Sequence, residues 1–214
     1  MKYSKHALII STLGFSLLFS FLAVFSIGCW LSLHFYDGGF SRELSGTESH
    51  IRKQMVESAQ HWLGTEEESE RHEQIIQIYN THEPLAQGYE VKISDNWCAT
   101  FGSTVAIQTG RTDFIPTECS CGRQIDLWSG LGRWEEDDHY MPLPGDFIYY
   151  NWDQTWSMKD NTGWPDHVGI VVGTLGPVIK VIEGNKDDCV TYRIIFRWDH
   201  RIRGYGLPDY ASIG

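Results

Sequence analysis

The stretch HVGIVVGTLGPVIKVIE, residues 167–183, decides the fold. It holds two runs rich in β-branched residues, 167–173 and 178–183, and the few residues between them include Gly176 and Pro177. Such runs fit strands, and a link this short cannot carry the crossover of a dozen or more residues that parallel strands require. The two strands therefore run antiparallel. DFIYYNW (146–152) and VTYRIIFRW (190–198) repeat the pattern on either side, set off by Gly, Asn, Asp and Pro.

Upstream the period changes. Ile51, Met55, Ala59 and Trp62 recur at helical spacing up to Gly64. The acidic run TEEESERHEQIIQIYN (65–80) predicts a second short helix with a solvated acidic face. A third helix follows Cys98, with Asp95 or Asn96 expected as its cap and Gly110 as its stop. Helices first and strands second predict an α+β domain, with helices packed on an antiparallel sheet.

The 214-residue chain carries a net charge of −11, with 17 Lys and Arg against 28 Asp and Glu, which argues against a nucleic-acid partner. Residues 7–33 hold no charge, and Lys2 and Lys5 precede them. An uncharged run beyond about 20 residues is long enough to span a bilayer, so one N-terminal transmembrane helix is expected over residues 1–35. The basic end would stay inside and the rest of the chain outside, as a single-pass protein of the cell membrane. A cleaved signal, giving a secreted protein, is the rival reading. YDGGFSRELSGTES (36–49) reads as a linker, leaving residues 50–212 for one domain.

Of five cysteines, Cys29 lies in the apolar run, leaving Cys98, Cys119, Cys121 and Cys189. That is too few for a disulfide scaffold, and a Cys119–Cys121 bridge would close a very tight loop. Cys119 and Cys121 read as loop residues. Cys98 is either a small buried hydrophobe or a thiolate held at a helix start, where backbone N–H groups and the helix dipole lower a thiol's pKa. A nucleophilic cysteine needs a histidine, and of nine histidines only His167 opens a strong strand signal. Glu183 and Asn185, one strand later, can each accept a hydrogen bond from the second imidazole nitrogen and fix its tautomer. HEQII and HEPLA lack the second histidine of a zinc-protease helix, and SGLG (129–132) is no serine elbow. Asp153, Asp160 and Asn161 are spaced too irregularly for a calcium site, so neither metal nor cofactor is expected.

DNWCATFGSTVAIQTG, FIPTECSC, PLPGDFIYYNWD, DHVGIVVG, VIEGN and IRGYGLPDY occur in the order found in CHAP-domain amidases and endopeptidases. The chain thus resembles the papain-like NlpC/P60 superfamily, in the branch found in Firmicutes and their prophages, over about residues 50 to 210. The resemblance implies a CHAP fold and hydrolysis of an amide bond in peptidoglycan, at the muramoyl–alanine link or in the stem or cross-bridge. It implies Cys98 as nucleophile, His167 as base, Glu183 as orienting acid and Asn185 as assisting amide. Trp97, Asp166, Trp152 and Trp164 are expected to contact substrate, with Trp156 a further candidate; the rival reading of these tryptophans is packing. Gly102 departs from the family, whose members usually carry a larger apolar residue there, and is expected to loosen the helix packing. Two other functions compete: a membrane-anchored wall-binding module without turnover, and a cysteine amidase acting on a different amide.

Overall fold

A computed structural model describes residues 44–153 and 161–213. Four α-helices come first: α1 (Gly46–His61), α2 (Glu70–Asn80), α3 (Cys98–Gln108) and α4 (Cys121–Gly130). Six strands follow: β1 (Trp134–Glu135), β2 (Phe147–Tyr150), β3 (His167–Leu175), β4 (Val178–Lys186), β5 (Cys189–Phe196) and β6 (Ile202–Gly206). All are joined antiparallel in one sheet of order β1-β6-β2-β3-β4-β5. The link between β3 and β4 is the one expected from its length.

The expected transmembrane helix needs correction as part of the fold. No described helix is long and apolar enough to cross a membrane, and residues 7–33 lie outside the described residues. What stands is an α+β fold with an antiparallel sheet and four helices. The linker boundary also shifts. Ser45 caps α1 by accepting from the Glu48 N–H at 3.0 Å, so the helix takes the last residues of the expected linker.

Both faces of the central strands β2 and β3 are buried, which is why they read as nearly continuous apolar runs. Phe147, Tyr149, Val168, Ile170 and Ile182 face the helices, where Met55, Ile75, Phe101 and Val105 meet them. Ile148, Tyr150, Val171, Ile179, Val181 and Ile195 form a second apolar layer behind. Gly102 belongs to the first layer and corrects the expectation of loose packing. A Cβ there would come 2.8 Å from the Phe147 ring, so the ring already fills the space.

Arg52 ties the helical layer to the sheet. Its guanidinium donates to Asp146 at 2.8 Å, Glu48 at 2.9 Å and the Pro144 carbonyl at 2.9 Å. Asp146 also accepts from the Tyr140 hydroxyl and the Leu143 N–H, each at 2.8 Å. The aspartate of Pro-Gly-Asp is thus more than a turn residue: it is the buried anchor between α1 and the start of β2.

Candidate active site

Cys98 is the first residue of α3, whose start has no side-chain cap. The two expected caps are used elsewhere. Asp95 accepts from the Lys92 N–H at 2.8 Å and the Tyr89 hydroxyl at 2.7 Å, while Asn96 accepts from Asn185 at 3.4 Å. A helix start leaves its first N–H groups without intrahelical partners. One of these, from Ala99, bonds the Cys98 sulfur and favours its thiolate. An uncapped start thus leaves N–H groups beside the thiol with no side-chain acceptor.

His167 opens β3, and its Nε2 lies 3.1 Å from Glu183 Oε2 on β4. That contact occupies Nε2, and the imidazole and the Cys98 thiol lie close enough for each to shift the other's pKa. Arg193 on β5 completes the row, its Nε donating to both Glu183 oxygens at 2.6 and 2.9 Å. Glu183 is fully buried, while Cys98 and His167 keep 5% and 8% of their surface exposed.

Two glycines make this assembly possible. A Cβ at Gly169 would come 2.6 Å from Glu183 Cγ, so only glycine leaves room beside the glutamate. A Cβ at Gly184 would come 2.5 Å from Phe101 Cβ, which sets how closely β4 packs on α3. Gly169 and Gly184 are the glycines of His-Val-Gly and Glu-Gly-Asn.

The charges follow from these contacts. The Cys121 thiol at 3.7 Å and the nearby His167 imidazole hold the Cys98 thiol well below its usual range, against the opposing effect of burial. Burial alone would lower the His167 imidazole, but the nearby Cys98 thiol and its bond to Glu183 prevail and raise it to about 9. Burial would raise Glu183, and the His167 and Arg193 contacts instead hold it low. Both shifts favour the thiolate–imidazolium form of the pair.

Two participants were not found from the sequence. Cys121, expected in a loop, is the first residue of α4, and its sulfur lies 3.7 Å from that of Cys98. Arg193 left one clue: Glu183 is paired with Thr191, so Arg193, two residues on, shares its face of the sheet.

The remaining expectations divide. Asn185 does not touch the imidazole; it sits at a register shift of β4, with φ of 56°, and reaches Asn96 instead. Bulges of this kind re-aim a side chain. Trp97 corrects the expectation of a substrate contact. Its ring is wholly buried, packed on His72 with centroids 4.3 Å apart, and its Nε1 donates to Glu67 at 3.2 Å. Trp152 stacks on Tyr150 at 4.9 Å and carries the Arg193 guanidinium at 4.3 Å, so it braces the glutamate's partner. Asp166 is exposed and holds the Trp152 N–H at 2.9 Å. Trp164 is 72% exposed and lies over Gly122, next to Cys121. Trp156 and Asp160 lie outside the described residues; Asn161 bonds Asn151 and the His200 carbonyl, each at 3.2 Å.

Compared with protein-family models, curated proteins and solved structures, the chain matches none.

Proposed function

We propose that the chain is a cysteine amidase that hydrolyses an amide bond of peptidoglycan. The observation that carries the reaction class is the 3.1 Å contact of Glu183 with the His167 imidazole beside the Cys98 thiol at the start of α3, where imidazole and thiol shift each other's pKa. The substrate class rests on the ordered resemblance to CHAP-domain amidases.

In this reading the Cys98 thiolate attacks the amide carbonyl carbon, and the free N–H groups at the start of α3 receive the oxyanion. His167 delivers its proton to the departing amine, leaving an acyl thioester on Cys98. The neutral imidazole then takes a proton from water as the water attacks the thioester. Release of the acid regenerates thiolate and imidazolium. Glu183 keeps the ring oriented and stabilises its charged form, as an orienting carboxylate does in a catalytic triad.

The test incubates purified peptidoglycan with the full chain and identifies released fragments by mass spectrometry, which also identifies the bond. Cys98→Ser, nearly isosteric but far less acidic, should abolish release while thermal unfolding stays near that of the parent. Comparable release by Cys98→Ser refutes the proposal. Binding to the wall with no release by the parent points instead to a non-catalytic module.

A further inference from the structure

The two sulfurs at the heads of α3 and α4 are the feature that hydrolysis does not require. Amide hydrolysis through a cysteine needs one thiol, a base and an oxyanion site; a second thiol 3.7 Å from the first is surplus. Both cysteines are buried, at 5% and 8% exposure. Cys121 is held there by its helix: Gln124 of α4 donates to the Pro116 carbonyl at 2.9 Å and accepts from the Tyr149 hydroxyl at 2.7 Å, and Tyr149 accepts from Trp128 at 2.8 Å. The other described thiols are engaged elsewhere, Cys119 with the Glu118 carboxylate at 3.5 Å and Cys189 with the Val190 carbonyl at 3.4 Å.

We propose that Cys98 and Cys121 form a reversible disulfide, with a hydroperoxide as oxidant and Cys121 as the thiol that resolves the oxidised Cys98. Closing the pair to a bond of about 2 Å asks for side-chain rotation at two adjacent helix starts. The Cys98 thiolate attacks the terminal peroxide oxygen. An S–O bond forms, the O–O bond breaks, and the departing alkoxide takes the His167 proton, giving an alcohol and a sulfenic acid. The Cys121 sulfur then attacks the Cys98 sulfur. The S–S bond forms, the S–O bond breaks, and hydroxide leaves with the Cys121 proton as water. Two thiols and one hydroperoxide become one disulfide, one alcohol and one water. A dithiol reverses the bridge by two exchanges.

The two thiols suit these parts. Cys98 is the thiol whose pKa is lowered and so the first to react, whereas its contact with Cys98 and then burial raise Cys121 and keep it protonated until Cys98 has lost its charge. The bridge removes the nucleophile while sparing it the irreversible sulfinic stage. Its effect on turnover rests on the hydrolase reading; its formation does not.

The full chain, reduced and freed of reductant, is treated with hydrogen peroxide, blocked with N-ethylmaleimide under denaturing conditions, and digested without reduction. The expected product is the Cys98 peptide joined to the Cys121 peptide, two hydrogens lighter than their sum, with both thiols recovered after dithiothreitol. Cys119→Ser should keep the cross-link. Cys121→Ser should lose it and give a dimedone adduct at Cys98. The proposal is overturned if parent Cys98 accumulates as sulfenic or sulfinic acid while Cys121 is still alkylated, or if the cross-link survives Cys121→Ser through Cys119. Should that variant not fold, the parent cross-link and Cys121→Ala decide. A cross-link in a protein that never cleaves peptidoglycan would sink the hydrolase reading and leave the disulfide; cleavage without a cross-link would do the reverse.

Discussion

Asp146 and Glu183 are both buried carboxylates, both fully shielded from solvent, and both face an arginine. Asp146 has only permanent partners: Arg52, the Tyr140 hydroxyl and a backbone N–H. Burial raises its pKa in spite of Arg52, and its contacts join α1 to β2. Glu183 shares its charge between Arg193 and His167, and those contacts hold it low in spite of burial. The pair teaches that burial and an arginine make an anchor, and that a partner able to give up its proton makes a site. Asp146 spends its field on holding layers together, whereas Glu183 spends it on the charge of an imidazole.

The contrast breaks most visibly at Glu183. Glu183→Gln keeps the shape but cannot stabilise an imidazolium, and losing such an orienter costs up to about 10⁴-fold in turnover. Fragment release per folded molecule measures this. Near-normal turnover in Glu183→Gln, beside a dead Asn185→Ala, would move the orienting role to Asn185. Asp146→Asn should do the opposite. Removing one member of a buried ion pair costs about 3–5 kcal/mol, so the urea midpoint should fall while turnover of the folded fraction holds. If Asp146→Asn loses turnover without losing stability, the two carboxylates are not the different devices described here.

The smallest effect is the most diagnostic. Because the thiol is lowered well below its usual range and the imidazole raised to about 9, the thiolate–imidazolium pair should extend below the pH at which an ordinary thiol titrates and up to about 9. Alkylation of Cys98 should stay fast near pH 6, where an ordinary thiol of pKa about 8.5 is protonated and slow. Turnover should fall as pH rises through about 9 and His167 loses its proton. Glu183→Gln should draw that alkaline limb toward neutral pH, and Asp146→Asn should leave it in place. Slow alkylation of Cys98 near pH 6 would show that the pair rests as neutral thiol and imidazole.

Local periodicity carried much of the fold. The spacing of Ile51, Met55 and Ala59 and the β-branched runs from residue 147 onward marked elements that exist. Two kinds of element escaped. Helix α4 begins with a Cys-Gly pair and mixes polar with apolar residues, so its start reads as loop. Strands β1 and β6 are short, and β6 contains Gly204 and Gly206, which weaken a strand pattern. At the site, the residues of the relay were visible because each opens or closes an element or stands in a motif. The nearness of Cys121 was not, since 23 residues separate it from Cys98 and only the docking of α4 on the sheet brings them together. The buried ring of Trp97 and the brace of Trp152 were likewise matters of packing, on which sequence pattern is silent.

Gly102 and Phe147 share one volume between a helix and a strand. That has a consequence for how the chain can vary over generations. A larger residue at 102 alone meets the Phe147 ring, which is itself buried and flanked by Trp128 at 5.6 Å. A smaller residue at 147 alone leaves a cavity, which typically costs about 3–5 kcal/mol for a buried phenylalanine cut to alanine. Each single step is penalised and only the exchange of both is neutral in volume. A larger residue at 102 should therefore be tolerated only together with a smaller one at 147, and neither change alone.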